Sequence, residues 1–110
     1  MWEPVVPALA PHFTLVRPDL RGYGASGKPP SDPEHAGQSK RAMALDMAEL
    51  MSSLGHGRFL LAGHDRGARV AARLAADHPG RVERLCLMDI VPSSVFYDRL
   101  TSATATAYWH

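Results

Sequence analysis

Asp65 stands between two glycines in Gly63-His64-Asp65-Arg66-Gly67, and arginines follow it at Arg66 and Arg69. A carboxylate is ionised near neutral pH without help from a base, so it can attack an electrophilic carbon directly and form an ester. Arginines three apart at the start of a helix lie on one face, where guanidinium groups and free helix N–H groups suit a small carboxylate. The chemistry legible here is nucleophilic substitution by Asp65 on a substrate that carries a carboxylate of its own. A second reading stays open, because Asp is also a favoured N-cap residue. Glycines two residues away on both sides weigh against a plain cap, since they suit a corner where backbones approach closely. Arg73, further along the same helix, reads as an ordinary solvated residue.

The elements that must position these residues follow from pattern. An apolar run from Phe59 to Gly63 predicts a short buried strand, and Arg66 to Asp77, rich in Ala, Arg and Leu, predicts a helix closed by His78-Pro79-Gly80. Asp65 therefore falls on a strand-to-helix corner, the form of a nucleophile elbow. Val82 to Ile90 predicts the next strand, with Leu85-Cys86-Leu87-Met88 continuously apolar as in a strand buried on both faces. It ends at Asp89, whose type also fits a plain strand terminator. Upstream, Ser39 caps an expected helix that reaches Gly55, with Ala42, Leu45, Met47, Leu50, Met51 and Leu54 as its apolar face. Phe13 to Arg17 is a further strand candidate. Pro4, Pro7 and Pro11 limit any first helix to a short one with Val5, Val6 and Leu9 turned inward.

Gly22, Gly24, Gly27 and Lys28 match two phosphate-binding patterns at once. Both patterns need a helix to begin within the glycines, and Pro29-Pro30 followed by Pro33 forbids one. Nucleotide binding is rejected, and the loop reads as a structural turn.

The corner sequence Gly63-His64-Asp65-Arg66-Gly67-Ala68-Arg69, with Arg17-Pro18-Asp19-Leu20-Arg21-Gly22-Tyr23-Gly24 before it, resembles the α/β-hydrolase superfamily, and specifically the haloacetate (fluoroacetate) dehalogenases. The similarity runs along nearly the whole chain. It implies an α/β class protein with a partial α/β-hydrolase fold: a mostly parallel sheet with flanking helices, residues 1–91 forming part of the core and 92–110 beginning the cap. The N-terminal strands, most of the cap and the C-terminal part of the family fold are expected to be missing, so the chain looks like an internal slice. By the same resemblance Asp65 is the nucleophile, Arg66 and Arg69 hold the substrate carboxylate, Asp89 orients the catalytic His, and His110 contacts the departing halide.

The implied reaction is hydrolytic dehalogenation of a 2-haloacid. The family's water-activating His lies far downstream, so the chain alone is expected to be inactive or to stall after one turnover. Epoxide hydrolases share the Asp nucleophile but typically carry Trp after it, where this chain has Arg66; that alternative leaves Arg66 and Arg69 unexplained. A non-catalytic fragment is the alternative of another class. In the family sheet a strand lies between the one matching Phe13–Arg17 and the elbow strand, which would leave a gap of roughly 9 to 10 Å and a marginal, aggregation-prone chain.

Length and composition fit this scale. A chain of 110 residues holds one small core. Its net charge of +1, with both signs interspersed, points to no nucleic acid or anionic membrane partner. No apolar stretch reaches a membrane span, and the first residues lack the pattern of a signal peptide, so a cytoplasmic location is expected. Cys86 reads as a buried, inert thiol. His12, His35 and His56 have no partner spacing for a metal, so neither metal nor other cofactor is expected. The expected partner is a small haloacid, with a homodimer implied by the family.

Overall fold

Every second residue of the elbow strand faces one helix, and this alternation organises the molecule. The structure, a computed structural model, describes residues 1–30 and 33–91. Strand β1 runs Phe59–His64, and Phe59, Leu61 and Gly63 are more buried than Leu60 and Ala62 between them, the period of two expected of a pleated strand. Strand β2, Val82–Met88, pairs with β1 in parallel, Leu61 opposite Leu85 and His64 opposite Met88. A parallel pair needs a crossover, and the helix α3, Arg66–Asp77, provides it.

Two shorter pieces precede this unit. A single 3₁₀ turn at Glu3–Val5 runs into the four-residue helix α1, Val6–Leu9. Helix α2, Lys40–Ser53, is capped as its sequence predicts: Ser39 Oγ accepts from the Ala42 N–H at 3.1 Å. Gly55, at φ +84, closes its far end, with the His56 N–H donating back to Met51 O. The core is a seam between α2 and α3: Met43 and Ala44 of α2 pack with Val70 and Leu74 of α3, backed by Leu61 and Val82 from the strands.

Several sequence expectations are corrected. The buried face of α2 is Met43, Ala44 and Ala48, while Leu45 and Leu54 are about half exposed. The small alanines let α3 approach closely, so the seam selects them over the longer leucines. Phe13–Arg17 forms no strand, because no neighbour offers it a ladder among the described residues. Val5 and Leu9 are exposed, because α1 packs only on the turn before it. Strand β2 is open rather than buried on both faces: α3 covers one side of the pair, and Glu83 through Cys86 are exposed, so Cys86 is accessible.

Ion pairs brace the periphery. Arg21 Nε donates to Asp46 Oδ2 at 2.6 Å while its Nη1 reaches Gly37 O, which ties the glycine loop region to α2 and raises the Arg21 pKa through the Asp46 hydrogen bond. Arg73, expected to be solvated, instead hydrogen-bonds Asp77 one turn on, Nε to Oδ2 at 2.7 Å, and holds that carboxyl below the usual carboxylate range. Arg81 lies 5.6 Å from the centre of the Phe59 ring and donates to Gly57 O and His56 O, fixing the chain where β1 begins.

Candidate active site

The corner after β1 is built by close approach at Gly63. A Cβ there would lie 2.6 Å from Gly67 O, 2.7 Å from Ala68 Cα and 2.8 Å from Ala68 N, so only glycine lets α3 start against the strand. Gly67, by contrast, has open space where a Cβ would go. The two glycines that look equivalent in sequence therefore do different things, and the steric demand rests on Gly63.

Asp65 sits between them at φ +47 and ψ −118, a conformation that costs an L-residue about 1–3 kcal/mol. Its main chain is fully engaged. The N–H donates to Met88 O at 3.1 Å, extending the ladder one residue beyond β1, and the carbonyl accepts from the Ala68 and Arg69 N–H groups at 3.0 and 3.2 Å. Asp65 thus occupies the N-cap position, yet its side chain makes no capping hydrogen bond. The carboxylate is exposed at the helix N-terminus and has no hydrogen-bonding or ion-pair partner among the described residues.

Asp89 repeats the pattern on the neighbouring strand. His64 and Met88 are paired in register, so Asp65 and Asp89 are the next residue on each strand, and Asp89 also has positive φ, +59. This places both carboxylates at the C-terminal ends of adjacent parallel strands, the side of an open α/β sheet where ligands bind. Asp89 Oδ2 lies 3.4 Å from His64 Nε2, with the Asp89 side chain 77% exposed. Strand β2 ends at Met88, two residues before the predicted Ile90.

Arg66 and Arg69 are both exposed on the first turn of α3. Arg66 Nη1 donates to Tyr23 Oη at 2.6 Å, whereas the Arg69 side chain has no hydrogen-bonding or ion-pair partner among the described residues. No side chain among the described residues bridges the two guanidinium groups. His110 and the expected cap region 92–110 lie outside the described residues. Sequence reasoning passed over Tyr23 and His64. Register would have found His64, once β1 and β2 are paired in parallel with their ends level. Tyr23 has no local signal, because its contact with Arg66 spans 43 residues.

Among the described residues no cluster of three His, Cys, Asp or Glu could hold a metal ion, and no helix is long and apolar enough to cross a membrane. An open cleft of about 370 Å³, lined by Pro18, Asp19, Arg21, Pro29, Asp46 and their neighbours, includes none of the corner residues and is braced by the Arg21–Asp46 pair. The glycine loop beside it runs into no helix, and Lys28 Nζ donates to Gly24 O at 2.8 Å, so the lysine satisfies the loop's own carbonyl.

The corner has relatives. The sequence model of the alpha/beta hydrolase fold matches residues 1–108. The chain belongs to the alpha/beta hydrolase fold family. Among its relatives, a fluoroacetate dehalogenase from Burkholderia sp is 51% identical over all 110 residues, which make up 36% of that protein. A soluble epoxide hydrolase from Corynebacterium sp. (strain C12) is 45% identical over 94 residues, 86% of this chain and 31% of that one. The crystal structure of ALR0039 from Nostoc sp PCC 7120 superposes with a TM-score of 0.90 at 53% identity, over 99% of this chain and 38% of that one. The chain thus spans about a third of the length of the hydrolases it matches. Their similarity supports an α/β fold with a parallel sheet and flanking helices, of which the described residues hold the β1–α3–β2 unit with α2 packed on α3.

Proposed function

We propose that the hydrolase to which these residues belong dehalogenates a 2-haloacid such as haloacetate through an ester on Asp65. The observation that carries this reading is Asp65 itself, held in a strained backbone conformation with its carboxylate left without a partner among the described residues. One carboxylate oxygen attacks the carbon bearing the halogen, the carbon–halogen bond breaks, and the halide leaves with the bonding pair. Water then attacks the ester carbonyl, gives its proton to a base, and releases the 2-hydroxyacid with Asp65 restored. Arg66 and Arg69 hold the substrate carboxylate by charge-assisted hydrogen bonds, Asp89 orients the histidine that activates the water, and His110 receives the halide. No metal or organic cofactor takes part in this sequence of bonds.

Support for the haloacid over a neutral substrate comes from the cationic pair beside the nucleophile and from the 51% identity to a fluoroacetate dehalogenase. An epoxide hydrolase is the second reading, favoured by the 45% identity to a soluble epoxide hydrolase and compatible with the same aspartyl ester. Modification of Asp65 by chloroacetate and by a neutral epoxide such as styrene oxide separates the two. The haloacid reading expects chloroacetate to react preferentially and the preference to disappear in Arg66→Gln and Arg69→Gln. Faster reaction with the epoxide, indifferent to both arginines, would favour the second reading.

A further inference from the structure

We propose that Tyr23 is the positioning residue for the substrate carboxylate, fixing the Arg66 guanidinium from the glycine loop; this rests on the haloacid reading of the same site. Arg66 is an exposed residue at the first position of a helix, and a long flexible side chain there samples many rotamers unless something holds it. The Arg66 Nη1 to Tyr23 Oη hydrogen bond of 2.6 Å is the only side-chain contact of that kind it makes among the described residues.

The loop is built to hold Tyr23 still. Gly22 and Gly24 flank it with φ of +85 and +50, and a Cβ on Gly24 would fall 2.0 Å from the Asp19 Oδ2 atom. That Asp19 carboxylate fills the space inside the loop and accepts from the Ala25 N–H at 2.9 Å, while the Asp19 carbonyl accepts from Ser26 Oγ at 2.7 Å. Gly22 N–H donates to Gly27 O, and Tyr23 N–H to Leu20 O, both at 2.9 Å. The glycine pattern that resembles a phosphate loop thus serves another purpose: it presents one phenol hydroxyl at a fixed place. A guanidinium pinned through one nitrogen has lost much of its freedom before a carboxylate arrives, so the anion binds with less ordering cost. Tyr23 then favours substrates that carry a carboxylate over neutral ones.

The test follows the side-chain Nε–H resonances of Arg66 and Arg69 by NMR in the ¹⁵N-labelled chain during titration with sodium acetate. Four chains are compared: unaltered, Tyr23→Phe, Arg66→Lys and the double variant. Backbone amides of Gly22 to Lys28 report whether the loop keeps its structure. Loss of the pre-ordering of one rotamer-rich side chain should raise the half-saturating acetate concentration about three- to tenfold in Tyr23→Phe, read on either arginine. The Arg69 resonance should show no further rise when Tyr23→Phe is added to Arg66→Lys. An unchanged midpoint in Tyr23→Phe, with acetate binding intact in the unaltered chain, overturns the proposal and leaves the haloacid reading standing. An equal rise in both backgrounds also overturns it, by showing that Tyr23 acts through the loop and not through Arg66. If the unaltered chain is folded, as dispersed Gly22 to Lys28 amides show, and neither arginine responds to acetate, the haloacid reading falls and this proposal with it.

Discussion

Gly63→Ala should damage this protein far more than Gly67→Ala, although the two glycines flank Asp65 symmetrically. The added methyl at position 63 meets three backbone atoms of α3 at 2.6 to 2.8 Å, where carbon contacts settle near about 3.5–4.0 Å. No side-chain rotation can relieve a clash with main chain, so α3 must move away from β1 by roughly 1 Å. A gap of that size forfeits a quarter to a half of each dispersion contact between α3 and the strands, where Phe59, Leu61 and Val82 back the buried Val70 and Leu74. The buried apolar residues are Met43, Ala44, Ala48, Ala68, Val70, Ala71 and Leu74, four of them on α3. The cost therefore belongs at the upper end of overpacking, about 3 kcal/mol. At position 67 the methyl enters open space on a helix, where replacing glycine is worth up to about 1 kcal/mol in favour of the folded state. Urea unfolding followed by far-ultraviolet circular dichroism reads both. A Gly63→Ala midpoint equal to that of the unaltered chain, or a larger loss in Gly67→Ala, would refute the assignment of the corner's steric demand to Gly63.

Further outcomes follow from the same geometry. Asp65→Gly should stabilise the fold by about 1 kcal/mol, because glycine adopts φ +47 without strain and no side-chain cap is lost, and a fall in the urea midpoint would contradict this. Ser39→Ala should cost about 1 kcal/mol by leaving the Ala42 N–H without its acceptor, with loss of the first-turn amide protection of α2 as the readout. The Asp77 carboxyl is lowered in the folded state by Arg73, so its contribution is present above the unfolded value of about 3.9 and is lost as pH falls through the depressed folded value. Asp77→Asn should accordingly flatten the acid limb of the stability profile; an unchanged slope below about pH 4 would count against the pair.

Legibility in sequence tracked how local the determining force was. The Ser39 cap, the Gly55 stop and α3 rest on contacts within a few residues and stand where the pattern puts them. Strands β1 and β2 pair across the whole of α3 and are located by their apolar runs, β2 ending at Met88 short of the predicted Ile90. The α2 face was misjudged because hydropathy favours Leu45 and Leu54, while the seam with α3 demands small residues at 44 and 48. Phe13–Arg17 has strand composition, but a strand exists only in the presence of a neighbour to pair with, and composition says nothing of that. At the site, the type and spacing of Asp65 and its glycines identified the corner. The positive φ of Asp65, the level ends of β1 and β2 that bring His64 to Asp89, and the reach of Tyr23 to Arg66 are tertiary facts.

The claim that Asp65 is the nucleophile is tested most directly by the intact mass of the purified chain after incubation with chloroacetate, with Asp65→Asn treated alongside. A carboxymethyl group that maps to Asp65 and is missing from Asp65→Asn is the expected result. A folded chain that gains no such group, or one that gains it elsewhere and equally in Asp65→Asn, would contradict the account.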